Sequence, residues 1–301
     1  MQDNLSLYKY FVTVVEEKSI TSAAKKLYIS QPAVSSAINK LESQLGVNLF
    51  VRGNRGITLT GEGKMLYEHL TKAFTFIKAG EDKLCEIAGL RGGILRIGAS
   101  DMTLRFFLLD AIEKFMPLHS DVRLQITNNP TPRTLDELRH GSIDVCVVSS
   151  PIEEDGELCV VPVRPIRDIF VCAPTYTEKR VMTPEELLTE HLIMLDRDTS
   201  SRKYVERCLF GEGNPGFAPD IELATSELTL DFAARGLGIA SVVEDFALPY
   251  LESGRLCRVE LTSPLPERQM LLVYYKNIPQ AAATDEFIRL CTSLRCSGRE
   301  E

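Results

Sequence analysis

Seven residues, Leu66, Leu70, Ala73, Ile77, Gly80, Leu84 and Ile87, step along the chain by four, three, four, three, four and three positions. This 3.5-residue repeat over three heptads is the pattern of a helix that packs lengthwise against a partner helix. Thr60 is a suitable N-cap with Glu62 in the first turn, and Gly89 with Gly92 and Gly93 stops the helix near residue 88. Gly80, at a seam position, marks a bend or a close approach. A helix packed on the body of its own chain is the alternative reading of the same stripe. In either case it separates a head of about sixty residues from a body of about two hundred within the 301-residue chain.

The head reads as helices. Leu7, Phe11, Val14 and Val15 recur at helical spacing, and a second helix over 21–27 offers Ala23, Ala24 and Leu27 for close packing. A third helix is bounded by Ser30 as N-cap, Pro32 in its first turn and Gly46 as its stop. Within it Val34, Ile38, Leu41 and Leu45 form one apolar stripe, expected to face a core. On another face Gln31, Ser35 and Asn39 recur every four residues beside Ser36, a ridge of short polar side chains suited to hydrogen-bonding base edges in a major groove. An ordinary solvated face would carry more Glu and Lys. Residues 51–60 then read as a β-hairpin around Gly53-Asn-Arg-Gly56, with Arg52 and Arg55 placed for phosphate or minor-groove contact.

The charge distribution agrees. The whole chain carries −8, but residues 1–65 hold eight Lys/Arg against five Asp/Glu, so the head is +3 and the remainder −11. Only the head has the local positive charge that phosphate binding requires.

The order and spacing of Phe11, Ser19-Ile-Thr-Ser-Ala-Ala-Lys-Lys-Leu27, Ile29-Ser-Gln-Pro-Ala-Val-Ser35, Leu41, Leu45-Gly46, Leu49-Phe50, Arg52, Leu59-Thr60 and Gly63 resemble the LysR-type transcriptional regulators over almost all of residues 1–65. That resemblance implies a winged helix-turn-helix in which the helix beginning at Ser30 is the recognition helix. It implies base or backbone contact by Gln31, Pro32, Ser35, Ser36 and Asn39, phosphate contact by Thr21, Arg52 and Thr60, and wing contact by Arg55. It further implies antiparallel pairing of the long helix through Leu66, Leu70, Ala73, Ile77, Leu84 and Ile87. The expected partners are therefore double-stranded DNA, a small-molecule effector, a second copy of the chain in a homodimer or homotetramer, and RNA polymerase at the promoter.

After residue 93 the periodicity changes to alternating strands and helices: strands near 94–98, 122–127 and 143–148 with helices near 104–115 and 134–139 between them. A second set follows, with strands near 169–173, 192–195, 221–224 and 238–242, and helices near 184–188, 202–209 and 227–235. A strand over 268–276 and a helix over 285–294 close the chain. Such alternation implies doubly wound parallel sheets. The expected organisation is a DNA-binding head over 1–59, a linker helix over 60–90, and an α/β effector-binding body over 91–301. The body comprises one subdomain over 91–163 and 268–301 and another over 164–267, which the resemblance likens to a periplasmic-binding-protein fold.

Ligands of open α/β sheets bind at the carboxyl ends of strands, where helix N-termini present free N–H groups. Ser100 with Asp101, Ser200 with Ser201 and Arg202, and Ser226 stand at such turns; the resemblance adds Thr131 and Ser149 to the same cleft. Each serine is equally explained as a helix cap. Arg202 favours a carboxylate or phosphate, with pairing to Asp198 as its alternative.

Eight cysteines (85, 146, 159, 172, 208, 257, 291 and 296) show no C-x-x-C pair, and four histidines (69, 119, 140 and 191) show no metal spacing, so neither zinc nor a disulfide framework is expected. Cys172, Cys208 and Cys257 fall in the second subdomain without a close pair in sequence, which leaves oxidant sensing a minor reading. No cofactor is expected, because the chain lacks G-x-G-x-x-G, Walker, G-x-S-x-G and H-E-x-x-H motifs, which also argues against an enzyme. An extracytoplasmic solute-binding protein would share the body but not the head. Without a basic-then-apolar opening or eighteen consecutive apolar residues, the expectation is a cytoplasmic protein with no membrane partner.

Overall fold

The structure, a computed structural model, describes residues 4–53, 56–87, 93–153, 155–211, 217–278 and 280–297. The chain forms two compact units, residues 1–82 with 139–141, and residues 83–138 with 142–301.

In the first unit, α1 (Asn4–Glu17), α2 (Ile20–Leu27) and α3 (Gln31–Leu45) precede the hairpin of β1 (Phe50–Gly53) and β2 (Gly56–Leu59). Ser19 caps α2 by accepting from the N–H of Ser22, and Gly46 ends α3 in the left-handed conformation. Phe11, Val14, Ala23, Ala24, Val34, Ile38, Leu41 and Leu49 are buried together. The predicted stripe of α3 holds through Leu41, but Leu45 is 40% exposed and Ala37 takes its share of the core. The carboxylate of Glu42 accepts from the N–H groups of Leu49 (2.7 Å) and Phe50 (3.2 Å), which fixes the hairpin against α3.

The long helix α4 (Gly61–Ile87) starts from Thr60, whose hydroxyl accepts from the N–H of Gly63 at 2.9 Å. A β-carbon at Gly63 would lie 2.1 Å from the carbonyl oxygen of Leu49, so only glycine allows this approach.

In the second unit, a five-stranded sheet has the order β4-β3-β5-β13-β6, built from β3 (Ile94–Ala99), β4 (Arg123–Asn128), β5 (Val145–Ser149), β6 (Leu158–Ile166) and β13 (Arg268–Tyr275). A six-stranded sheet has the order β10-β9-β11-β7-β12-β8, from β7 (Asp168–Cys172), β8 (Val181–Met182), β9 (Leu192–Leu195), β10 (Ile221–Leu223), β11 (Ile239–Val243) and β12 (Cys257–Leu261). The expectation of parallel sheets needs correction. β3, β4 and β5 are parallel, as are β9, β10 and β11, but β13 runs antiparallel to β5 and β6, and β7 antiparallel to β11 and β12. The antiparallel strands are those that follow the two crossings between sheets, at residues 166–168 and 261–268.

Helices cover the sheets: α5 (Asp101–Thr103), a π-helical turn over Leu104–Leu108, α6 (Leu109–Phe115), α7 (Thr131–Arg139), α8 (Pro184–Leu187), α9 (Ser200–Phe210), α10 (Ser226–Ala234), α11 (Glu244–Glu252) and α12 (Ala282–Ser297). One apolar cluster draws on both sheets, with Leu95, Ile97 and Leu272 from the first, Val171, Ile193 and Val242 from the second, and Phe115 packed edge-on against Phe287 at 5.3 Å. None of the helices described is long and apolar enough to cross a membrane.

Candidate functional site

Because Val34, Ile38 and Leu41 anchor α3 in the core, its opposite face is outward: Gln31, Pro32, Ser36 and Asn39 are exposed and Ser35 half-exposed. The amide of Gln31 donates to Ser35 Oγ at 3.3 Å, just beyond the usual range of such bonds. Ser30, the N-cap position, makes no side-chain cap bond. Thr21 is exposed on the first turn of α2. Thr60 is different, since its hydroxyl also donates to the carbonyl of Asn48 at 2.7 Å and is thereby committed to the fold. Arg52 lies on β1, one residue before the hairpin turn; Arg55 lies outside the described residues.

The stripe on α4 splits. Leu70 is buried in the head core, with Leu66 and Phe74 packed beside it, so both predicted seam residues serve their own unit. Ala73 is exposed, Ile77 is 44% exposed and Leu84 67% exposed, leaving these as the unpartnered part of the stripe. Ile87 closes the helix, and its side chain lies outside the described ones.

In the second unit a cavity of about 500 Å3 opens at the carboxyl ends of strands from both sheets. Ser100, Asp101, Thr131 and Ser149 line it from the five-stranded side; Ser200, Ser201 and Ser226 line it from the other. The caps are not where the sequence suggested. Thr199 caps α9 by accepting from the N–H of Arg202, and Thr225 caps α10 by accepting from the N–H of Leu228. Ser200, Ser201 and Ser226 are therefore first-turn residues whose hydroxyls are not spent on capping. Ser100 is a true cap: its hydroxyl accepts from the N–H of Thr103, and the Thr103 hydroxyl donates to the carbonyl of Val147. Sequence reasoning missed Asn128, Asn129, Thr199, Thr225 and Glu227, which also line the cavity; threonine before Ser-Ser or Ser-Glu was the available signal for the two caps.

Arg202 requires a correction. Its guanidinium is fully buried away from the cavity lining, donating to Glu206 at 2.6 Å and to the carbonyl of Leu195 at 3.1 Å. It pairs one turn along its own helix rather than with Asp198. Arg268 reaches the lining: it donates to Ser201 Oγ at 3.0 Å while held bidentate by Asp168 at 2.6 and 2.7 Å. At the rim, Arg105 pairs with Glu227 at 2.5 Å, and Phe106 meets Phe246 edge-on at 4.7 Å.

Cys172 and Cys257, distant in sequence, face each other across β7 and β12 with their sulfurs 3.8 Å apart. Burial, then the neighbouring thiol, pushes Cys172 up to about 12, which favours its protonated form.

Comparison with known proteins follows the same division. Residues 5–64 match the bacterial regulatory helix-turn-helix of the LysR family, and residues 88–295 match the LysR substrate binding domain. The probable RuBisCO transcriptional regulator of Trichormus variabilis is 27% identical over 95% of this chain and 86% of its own. The transcriptional regulator YcaN of Escherichia coli is 27% identical over 92% and 90%. Among solved structures, ArgP from Mycobacterium tuberculosis aligns with a TM-score of 0.67 at 18% identity over 96% of both chains. A variant of full-length OxyR from Pseudomonas aeruginosa aligns at 0.65 and 21% over 97% and 94%. With the head and the body each matched in order, the chain belongs to the LysR family of DNA-binding transcriptional regulators.

Proposed function

We propose that this regulator docks α3 in a major groove, with Gln31, Ser35, Ser36 and Asn39 reading base edges, Pro32 packing beside them, and Thr21, Arg52 and Arg55 holding phosphates. Two copies pair through the exposed stripe Ala73, Ile77 and Leu84 of α4 and so address two half-sites. Pairing between bodies then builds a dimer of dimers, in the cytoplasm where the operator lies, and brings RNA polymerase into contact at the adjoining promoter. A small molecule in the cavity changes the balance between arrangements of the copies on DNA, to the extent that it binds one arrangement better than the other.

The observation that carries this reading is the two-faced α3, with Val34 and Leu41 at 0% exposure on one side and an exposed ridge of short polar side chains on the other. Its test is selection of bound duplexes from a random pool, followed by titration of variants. Gln31→Ala should cost about 1–3 kcal/mol at one base position, whereas Arg52→Ala should weaken all sequences together and lower the salt dependence. Unchanged discrimination in Gln31→Ala refutes the docking.

A further inference from the structure

We propose that the molecule taken up by the cavity is an amine-bearing carboxylate, an α-amino acid or close analogue, with Asp101 as the seat of its ammonium group. This rests on the cavity being the effector site and goes on to name the chemistry that fits it.

The cavity has two chemically distinct walls. On one, α9 and α10 point their N-termini inward. Thr199 and Thr225 occupy the N–H groups of Arg202 and Leu228, which leaves those of Ser200, Ser201, Ser226 and Glu227 without a helical acceptor. The hydroxyls of the three serines stand beside these donors. On the facing wall the first residue of α7, Thr131, is 5% exposed, and its hydroxyl has no hydrogen-bond partner. A buried hydroxyl is rarely left unsatisfied, so its place in the lining points to a polar occupant. This donor-rich wall is a carboxylate seat.

Charge decides what else the occupant carries. Among the described residues no Lys, Arg or His lines the cavity, whereas two acids do, Asp101 and Glu227, of which Glu227 is paired with Arg105. The arginines described beside it are each held by an acid: Arg105 by Glu227, Arg164 by Asp245, Arg202 by Glu206, and Arg268 by Asp168. Asp101 is exposed and makes no described ion pair. A dicarboxylate would bring a second negative group toward Asp101 with no cation to receive it. A zwitterion places its carboxylate at the serine-bearing helix ends and its ammonium at Asp101, and both charges are met.

The test is calorimetric titration of the full-length protein with the twenty L-amino acids and, in parallel, with the matching acids that carry hydrogen in place of the amine. At least one amino acid should bind ten-fold or more tightly than its deaminated partner. Asp101→Asn should erase that ratio, and Asp101→Glu, which keeps the charge, should retain most of it. Equal or tighter binding of the deaminated acids overturns the amine while sparing the cavity as an effector site, as does a ratio untouched by Asp101→Asn. Binding of no compound in either set also overturns the proposal, and operator titration of the same preparation shows separately whether the regulator reading stands.

Discussion

Arg268 and Asp168 are the most deeply buried ion pair described, each side chain 1% exposed, at the point where the chain passes between the two sheets. The pair is doubly hydrogen-bonded, and Arg268 also donates to Ser201 Oγ and to the carbonyl of Ser150, with its guanidinium 4.7 Å from the ring of Tyr204. Asp168→Asn removes the charge that compensates the guanidinium and should cost about 3–5 kcal/mol, because a buried cation is then left unpaired. Replacing both partners, as in Asp168→Leu with Arg268→Met, removes both desolvation penalties and should recover most of that loss, to within about 2 kcal/mol of the natural chain. Urea titration of the full-length protein, followed by circular dichroism, measures all the variants. The pH dependence supplies a second readout. Burial pushes the Asp168 carboxyl up from its ordinary value, and the charge of Arg268 opposes this. In Arg268→Met nothing opposes it, so the folded value stands further above the unfolded one. Relative to the natural chain, the deficit should be small in acid, where the carboxyl is protonated in both, build as pH rises through the folded value of the natural chain, and be complete above the further-raised value in Arg268→Met. A cost under about 1 kcal/mol for Asp168→Asn, or a double replacement as damaging as the two single losses added, would refute the argument.

Ile77→Asp and Leu84→Asp place charges on the exposed stripe of α4 and should shift the sedimenting species toward monomer while leaving the head folded. Leu70→Asp should instead unfold the head at a cost above about 2 kcal/mol, since Leu70 packs in its core; an unaltered head melt in that variant would return Leu70 to the seam. Alkylation of the folded protein at pH 8 should label the exposed Cys208 and spare Cys146, Cys172 and Cys291, whose thiols burial raises, the last two to about 12. Mass spectrometry of the peptides decides this, and early labelling of Cys172 would contradict its burial.

The head was legible because its signals are local. Ser30 and Gly46 bracket α3 within one stretch of sequence, and the spacing of Val34, Ile38 and Leu41 is already that of a buried face. The stripe on α4 was equally visible, but periodicity does not say what covers a face: Leu70 meets its own core and Leu84 does not, at the same spacing. In the body, β6 carries Pro162 and Pro165, residues that blur the pattern of a strand. The strand tolerates them because it is the edge of its sheet, where a missing N–H need not cost a ladder bond. β12 and the antiparallel turn of β13 depend on pairings with strands about a hundred residues away, for which a local pattern carries no trace.

The sign of the cavity was the hardest property to read, and for the same reason. Counted along the chain, Arg202 beside Ser200 and Ser201 makes an anion site. In the fold, each arginine near the cavity is cancelled by an acid whose sequence distance ranges from 4 residues for Glu206 to 122 for Glu227. Asp101, placed at a turn by the short strand before it, has no such described partner. A site's charge is what remains after pairing, and pairing is a property of tertiary structure. The hydroxyl-bearing turns could therefore be located from residues 100, 200 and 226 alone, while the preference for an amine emerges only once Arg105, Arg202 and Arg268 are seen to be engaged elsewhere.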